Sequence, residues 1–133
     1  MTDRDQQLYS LRPRIPSIIE EQATTAAERF QNRTLRPILK LQHDLLMALF
    51  RHYLHKRKGG YYDLPTSRRR AYVAHCLQKD QRLRQLMCGT IIGHFTTEEW
   101  LAYVDQEAEL RRRLITMLIE RIWDGMGESS SAS

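Results

Sequence analysis

The residues of this chain with chemistry to offer are five histidines, two cysteines and a run of cations interleaved with tyrosines. His52 and His55 are three apart, so on a helix both face one side. A zinc site takes three or four ligands, and His43, His75 and His94 are the candidates to complete one. The set His52, His55 and His75 would make the chain a small metal-dependent enzyme. The usual supports for that chemistry are missing. Lys40, Leu49, His52, Tyr72 and Ile91 stand three before the histidines, so the Glu-x-x-His pairs of di-metal bundles do not occur, and HExxH is absent as well. The reading therefore assigns no cofactor and no catalytic residue. Cys76 follows His75, but adjacent helical residues point in different directions and make no nucleophile pair. Cys76 and Cys88 form no CxxC motif and read as reduced, buried thiols of a cytoplasmic protein. Glu98 and Glu99 beside His94 resemble an acid and base, yet Thr96-x-x-Glu99 is also a helix-starting capping box.

The cations make the stronger pattern. His52, Tyr53, His55, Lys56, Arg57, Lys58, Tyr61, Tyr62, Arg68, Arg69 and Arg70 place positive charge on a loop and two helix ends, with tyrosines available to stack. Phosphate-backbone or single-strand contact requires both. Residues 51–84 carry ten basic and two acidic groups, whereas residues 85–133 carry four and eight. Three arginines in the first turn of a helix oppose its dipole, which marks Arg68, Arg69 and Arg70. Either a solvated basic face or a contact surface for an acidic protein or a nucleic acid accounts for this. No phosphate-cradling glycine motif accompanies it: Gly59 and Gly60 lack a following GK[ST].

The elements that must position these residues are helical. Thr34 to Lys58 repeats apolar residues at helical spacing, and from Leu45 to Phe50 they wrap the circumference, which predicts a central helix covered on several sides. Thr34 would cap it, Pro37 would fall in its first turn, and Gly59 with Gly60 would end it. Before it, a short helix is expected from Thr24 or Thr25 to about Asn32, with Thr25 and Glu28 as a capping-box pair. After it, Pro65 opens a helix to about Lys79 with Tyr72, Val73, Cys76 and Leu77 inward. Asp80 caps another to about Phe95 with Leu83, Leu86, Met87, Ile91 and Ile92 inward. The Thr96 box starts a long helix to about Asp124 along Trp100, Leu101, Val104, Ala108, Leu114, Ile115, Leu118 and Ile122. Whether the helices on either side of Asp80 are one kinked element is open. Arg12 and Ile15 each precede a proline, so residues 1–23 read as an extended arm lying across the bundle. Residues 125–133, GMGESSSAS, read as a disordered tail. The expectation is one all-α domain, a bundle of four to five helices over 24–124 around a central helix.

Composition agrees with a globular class: 41% of residues are hydrophobic and 28% charged. The longest apolar run is short, so neither a membrane span nor an export signal is expected. At FQNRTLRPILKLQHDLL, QKDQRLR and GTIIGHFTTEEW the chain resembles a family of short uncharacterised all-helical bacterial proteins, over most of residues 8–122. Some members of that family carry the label glyoxalase. The label implies a metal-dependent lyase on βαβββ modules, and the sequence supplies no strands for them. Taken together, the residues point to a non-enzymatic interaction or regulatory module. Its contact surface would be Lys56, Arg57, Lys58, Tyr61, Tyr62, Arg68, Arg69 and Arg70. A second copy covering the central helix, giving a homodimer, is a further alternative.

Overall fold

The computed structural model describes residues 2–14, 25–57 and 60–127, and every regular element among them is helical. In chain order these are α1 (Asp3–Leu11), α2 (Ala26–Phe30), a π-helical turn (Gln31–Leu35), α3 (Arg36–Leu41), α4 (His43–Arg57), α5 (Thr66–Lys79), α6 (Gln81–Ile92), α7 (Thr97–Asp105) and α8 (Glu107–Gly125). The all-α expectation holds. The count of four to five does not: seven helices are described when the continuous rod 26–41 is counted once. The two added ones are α1, in the expected arm, and the helix gained by a break at Gln106; another break, at Gln42, moves a boundary without changing the count.

The first break divides the expected central helix. Pro37 has no N–H to offer the carbonyl of Arg33, and its ring crowds that carbonyl. A wider turn precedes it, with the Arg36 N–H donating to Gln31 O, five residues back. Thr34 is therefore not a cap but a buried residue inside this turn, 4% exposed. At Gln42 (φ −91°, ψ 6°) the rod bends into α4, and the Gln42 amide reaches across to donate to Thr90 O at 3.2 Å. The apolar residues of the expected central helix thus belong to two, and the encircling run from Leu45 to Phe50 lies wholly on α4. Leu35, Ile38 and Leu39 are buried on the first, and Leu46, Met47, Phe50 and Leu54 on the second, while Leu45 stays 48% exposed.

The hub of the bundle is α8, which packs against α4, α5, α6, α7 and the π turn. Leu110, Leu114, Leu118 and Ile122 form its buried stripe at intervals of one helical turn. The bundle is thus organised around α8 with α4 rather than around residues 34–58. A second break, at Gln106 (φ −135°, ψ 42°), separates α7 from α8. It lets Tyr103 turn inward against Phe30 and Phe95, with ring centroids 6.3 and 5.5 Å away. Trp100, Leu101 and Val104, expected in the core, are 44%, 67% and 45% exposed as a result. Leu86 is exposed for the same kind of reason, since Leu83, Met87 and Ile91 face inward.

The capping signals at Thr25, Asp80 and Thr96 are borne out, while the expected helix end near Asn32 and the Thr34 cap are not, because the chain stays helical through 26–41. Thr25 Oγ1 accepts from Glu28 N at 3.0 Å, and Thr96 with Glu99 makes the full reciprocal box. Asp80 (φ −91°, ψ 103°) separates α5 from α6 and accepts from Leu83 N at 3.1 Å, so these are two helices. Asp80→Ala should cost about 1–2 kcal/mol in urea unfolding, with Asp80→Asn recovering most of it, because the amide oxygen can still cap. Gly60 is in the left-handed region (φ 99°), as a helix-terminating glycine requires, while Gly59 and Lys58 lie outside the described residues.

At the N-terminus the extended arm is corrected. Thr2 caps α1, with Asp3 and Asp5 in its first turn, and the helix stops at Leu11 because Arg12 precedes Pro13 and is extended (φ −73°, ψ 132°). The prolines set where this helix ends, not whether it forms. Ile15 to Glu21 and the rest of the expected arm lie outside the described residues, as does the tail from 128 on. Gly125, placed in the tail by its sequence, ends α8 against α4. A Cβ there would meet His43 Cε1 at 2.9 Å and Met47 Sδ closer still.

Candidate functional site

Gly60 and the turn that follows it connect the two parts of the basic stretch, but the structure uses much of it internally. Tyr61 is 1% exposed and packs its ring 6.4 Å from Phe50, so of the two tyrosines only Tyr62 is exposed. Arg69 closes the turn: its Nε donates to Leu64 O at 3.1 Å and its Nη2 to Tyr62 O at 3.2 Å, with the guanidinium 5.2 Å from the Tyr61 ring centre. Arg70 ion-pairs with Glu120 of the neighbouring α8. Lys56 and Arg68 remain exposed and make no side-chain hydrogen bond or ion pair among the described residues. Lys58, the eighth predicted contact residue, lies outside the described residues.

Arg57 has a different setting. It lines an open cleft of about 340 Å³ between the end of α4 and the α5–α6 corner, together with Tyr53, His75, Lys79, Asp80 and Arg82. The Arg57 Nη1 donates to Tyr53 Oη at 2.6 Å, and Tyr53 Oη donates to Asp80 Oδ2 at 3.0 Å. Burial pushes the Tyr53 phenol well up, and the proximity of Cys76 and the bond to Asp80 add to the shift, so Tyr53 stays a neutral donor. Burial likewise pushes the Cys76 thiol up, which removes the thiolate a nucleophile would need. Asp80 is the sole carboxylate among the described residues that line the cleft, and it is occupied as a cap and as the acceptor of Tyr53. Arg57, Lys79 and Arg82 around it leave a net positive rim. Sequence reading did not single out Lys79 and Arg82, although both lie in the cation-rich span 51–84; the signal was there in the charge count and not in any motif.

The histidines are not gathered. His52 and His55 are exposed on α4, and His75 opens into the cleft on α5. No group of three or more His, Cys, Asp or Glu is close enough to hold a metal ion among the described residues. His43 lines a separate cleft between α3 and α8 in which Arg36 and Arg121 are matched by Glu120 and Asp124.

His94 belongs to a buried polar cluster that the sequence pattern reveals only in part. Arg12 forks onto Glu99, with Nη1 at 2.6 Å from Oε2 and Nη2 at 2.5 Å from Oε1, and also donates to His94 O at 2.9 Å. Thr34 Oγ1 donates to Glu99 Oε2 at 2.9 Å, and Thr96 N to Oε1 at 2.8 Å. The carboxylate thus has four donors and no role left over for proton transfer. On the same side, Arg4 donates to the carbonyls of Gly93 and Phe95 at 3.0 Å each, and Asp5 accepts from Thr97 Oγ1 at 2.9 Å. This cluster fastens α1 to the α6–α7 corner. No family model, curated protein or solved structure matches the chain.

Proposed function

We propose that this protein is a non-enzymatic interaction module whose basic surface on α4, α5 and α6 receives an acidic partner protein. One observation carries the reading: Lys56, Arg68, Lys79 and Arg82 are exposed cations that make no ion pair among the described residues, while the arginines beside them, Arg57 and Arg70, each have a carboxylate close by. Unmatched surface cations lose little by being solvated and gain by meeting complementary charge, which steers association. An acidic protein is favoured over a single-stranded nucleic acid because Tyr61 is buried, and a stacking platform needs exposed rings in series. The described helices include none long and apolar enough to cross a membrane, which leaves the surface free of that demand.

The test is a pulldown from cell lysate, split into nuclease-treated and untreated halves, with the wild-type chain and a variant carrying Lys56→Glu, Arg68→Glu, Lys79→Glu and Arg82→Glu. Arg69 is left alone because it closes the turn. A protein partner retained after nuclease, and bound at least about tenfold more weakly by the variant, is the expected result. Equal retention by the variant overturns the reading. Retention of nucleic acid in the untreated half alone, lost at moderate salt, replaces the acidic protein by a nucleic acid.

A further inference from the structure

A second basic cleft lies at the junction of α5, α6 and α8, on residues that neither the basic stretch nor the surface above includes. Its volume is about 450 Å³, and Arg84, Arg111 and Arg112 converge on it beside Gln78, over a floor of Ile115 and Ile119. Among the described residues, none that lines it is acidic. The Arg84 Nη1 donates to the last-turn carbonyls of α5, to Gln78 O at 2.7 Å and Leu77 O at 3.3 Å, which fixes the guanidinium and leaves its Nε and Nη2 without an acceptor among the described residues. Arg111 and Arg112 make no side-chain hydrogen bond or ion pair among the described residues. Their neighbour Arg113 is engaged with Gln31 Oε1 at 2.8 Å and with Glu109 at 3.7 Å.

Three guanidiniums that line one opening, with only Arg84 bonded in place, give it a positive potential that an anion between them would offset. Guanidinium forks match the oxygens of a phosphate, and each charge-assisted bond is stronger than a neutral one. The apolar floor adds a demand of its own: Ile119 is 7% exposed and forms part of the core, so a ligand that covers Ile115 and Ile119 while presenting an anion at the rim fits better than a bare ion. We propose that this cleft binds the dianionic phosphate group of a small phosphate monoester with an apolar body. The site is separate from the partner surface and stands or falls independently of it.

Phenyl phosphate is the probe, titrated calorimetrically into the full chain at pH 8. The expected result is saturable one-site binding, weakened at least about tenfold in Arg111→Gln and in Arg112→Gln, which remove one charge-assisted donor set each. Both side chains are exposed, so thermal melting should be unaltered in the two variants, and Arg68→Gln should bind like wild type. Affinity should fall as the pH drops below about 6, where the dianion takes up a proton and becomes a monoanion. Phenyl sulfate, a monoanion of nearly the same shape, should bind at least about tenfold more weakly. Absence of saturable binding, equal binding by the two variants, or equal affinity for phenyl sulfate or inorganic phosphate would overturn the proposal.

Discussion

Glu99→Ala should lower the free energy of unfolding by about 3–5 kcal/mol, the cost of leaving a buried charge without its partner. The stranded group would be Arg12, whose side chain is 5% exposed, against 14% for Glu99. Four donors converge on this carboxylate from α1, the π turn and the start of α7, so its removal releases three elements at once. For a domain of this size the melting temperature should drop by on the order of 10 °C or more. A double-mutant cycle with Arg12→Met gives the decisive reading: the double variant should be more stable than Glu99→Ala alone, because no unpaired charge remains. A loss below about 1 kcal/mol in the single variant would show that the pair is not buried in solution.

The same cluster makes stability depend on pH in a stated direction. Burial acts to raise the Glu99 carboxyl, but the bonds from Arg12, Thr96 and Thr34 outweigh it and hold the carboxyl below its ordinary value. Burial, with Arg12 and Arg4 nearby, lowers His94 too. In both cases the unfolded chain takes up the proton first, so protons favour unfolding. The contribution of His94 is complete above about pH 6.5 and declines below it, and that of Glu99 declines below about pH 4.3. Urea titrations from pH 8 to pH 3 should therefore lose stability in two stages, and His94→Gln should abolish the upper one.

Phe50→Ala should cost about 3–5 kcal/mol, as expected for emptying a core site that cannot collapse. Phe50 is 0% exposed, and its ring has Tyr53 stacked 6.0 Å away on one side and Tyr61 edge-on at 6.4 Å on another. Those two rings come from α4 itself and from the turn beyond it, and α8 and α6 pack against the same helix, so no single shift fills the void. Leu45→Ala, on the exposed side of the same helix, should cost about 1 kcal/mol or less, in proportion to its smaller buried area. Equal losses at the two positions in chemical denaturation would mean that α4 is covered on both faces in solution.

What the sequence determined by itself is the helical class and most of the helix starts and stops. Thr25, Asp80 and Thr96 cap helices as their spacing to Glu28, Leu83 and Glu99 implies, and Arg12 is extended because Pro13 follows it. These are contacts within a few residues, so local chemistry is enough to set them. The basic character of residues 51–84 was equally legible, since charge can be counted. Tertiary structure alone decided which cations are free. Arg69 and Arg70 look like Arg68 in the sequence, but one closes a turn and one meets Glu120 across fifty residues. It also decided the breaks at Gln42 and Gln106, where no proline or glycine stands: the Gln42 side-chain amide finds its acceptor in the Thr90 carbonyl on α6, and Tyr103 packs against Phe30 and Phe95. From those breaks follow the inward turn of Tyr103 and the exposure of Trp100, Leu101 and Val104. The convergence of Arg84 with Arg111 and Arg112 has the same origin: α5, α6 and α8 meet because their apolar stripes must be buried together, and which polar residues that brings to the seam depends on the packing angle, not on the spacing along the chain.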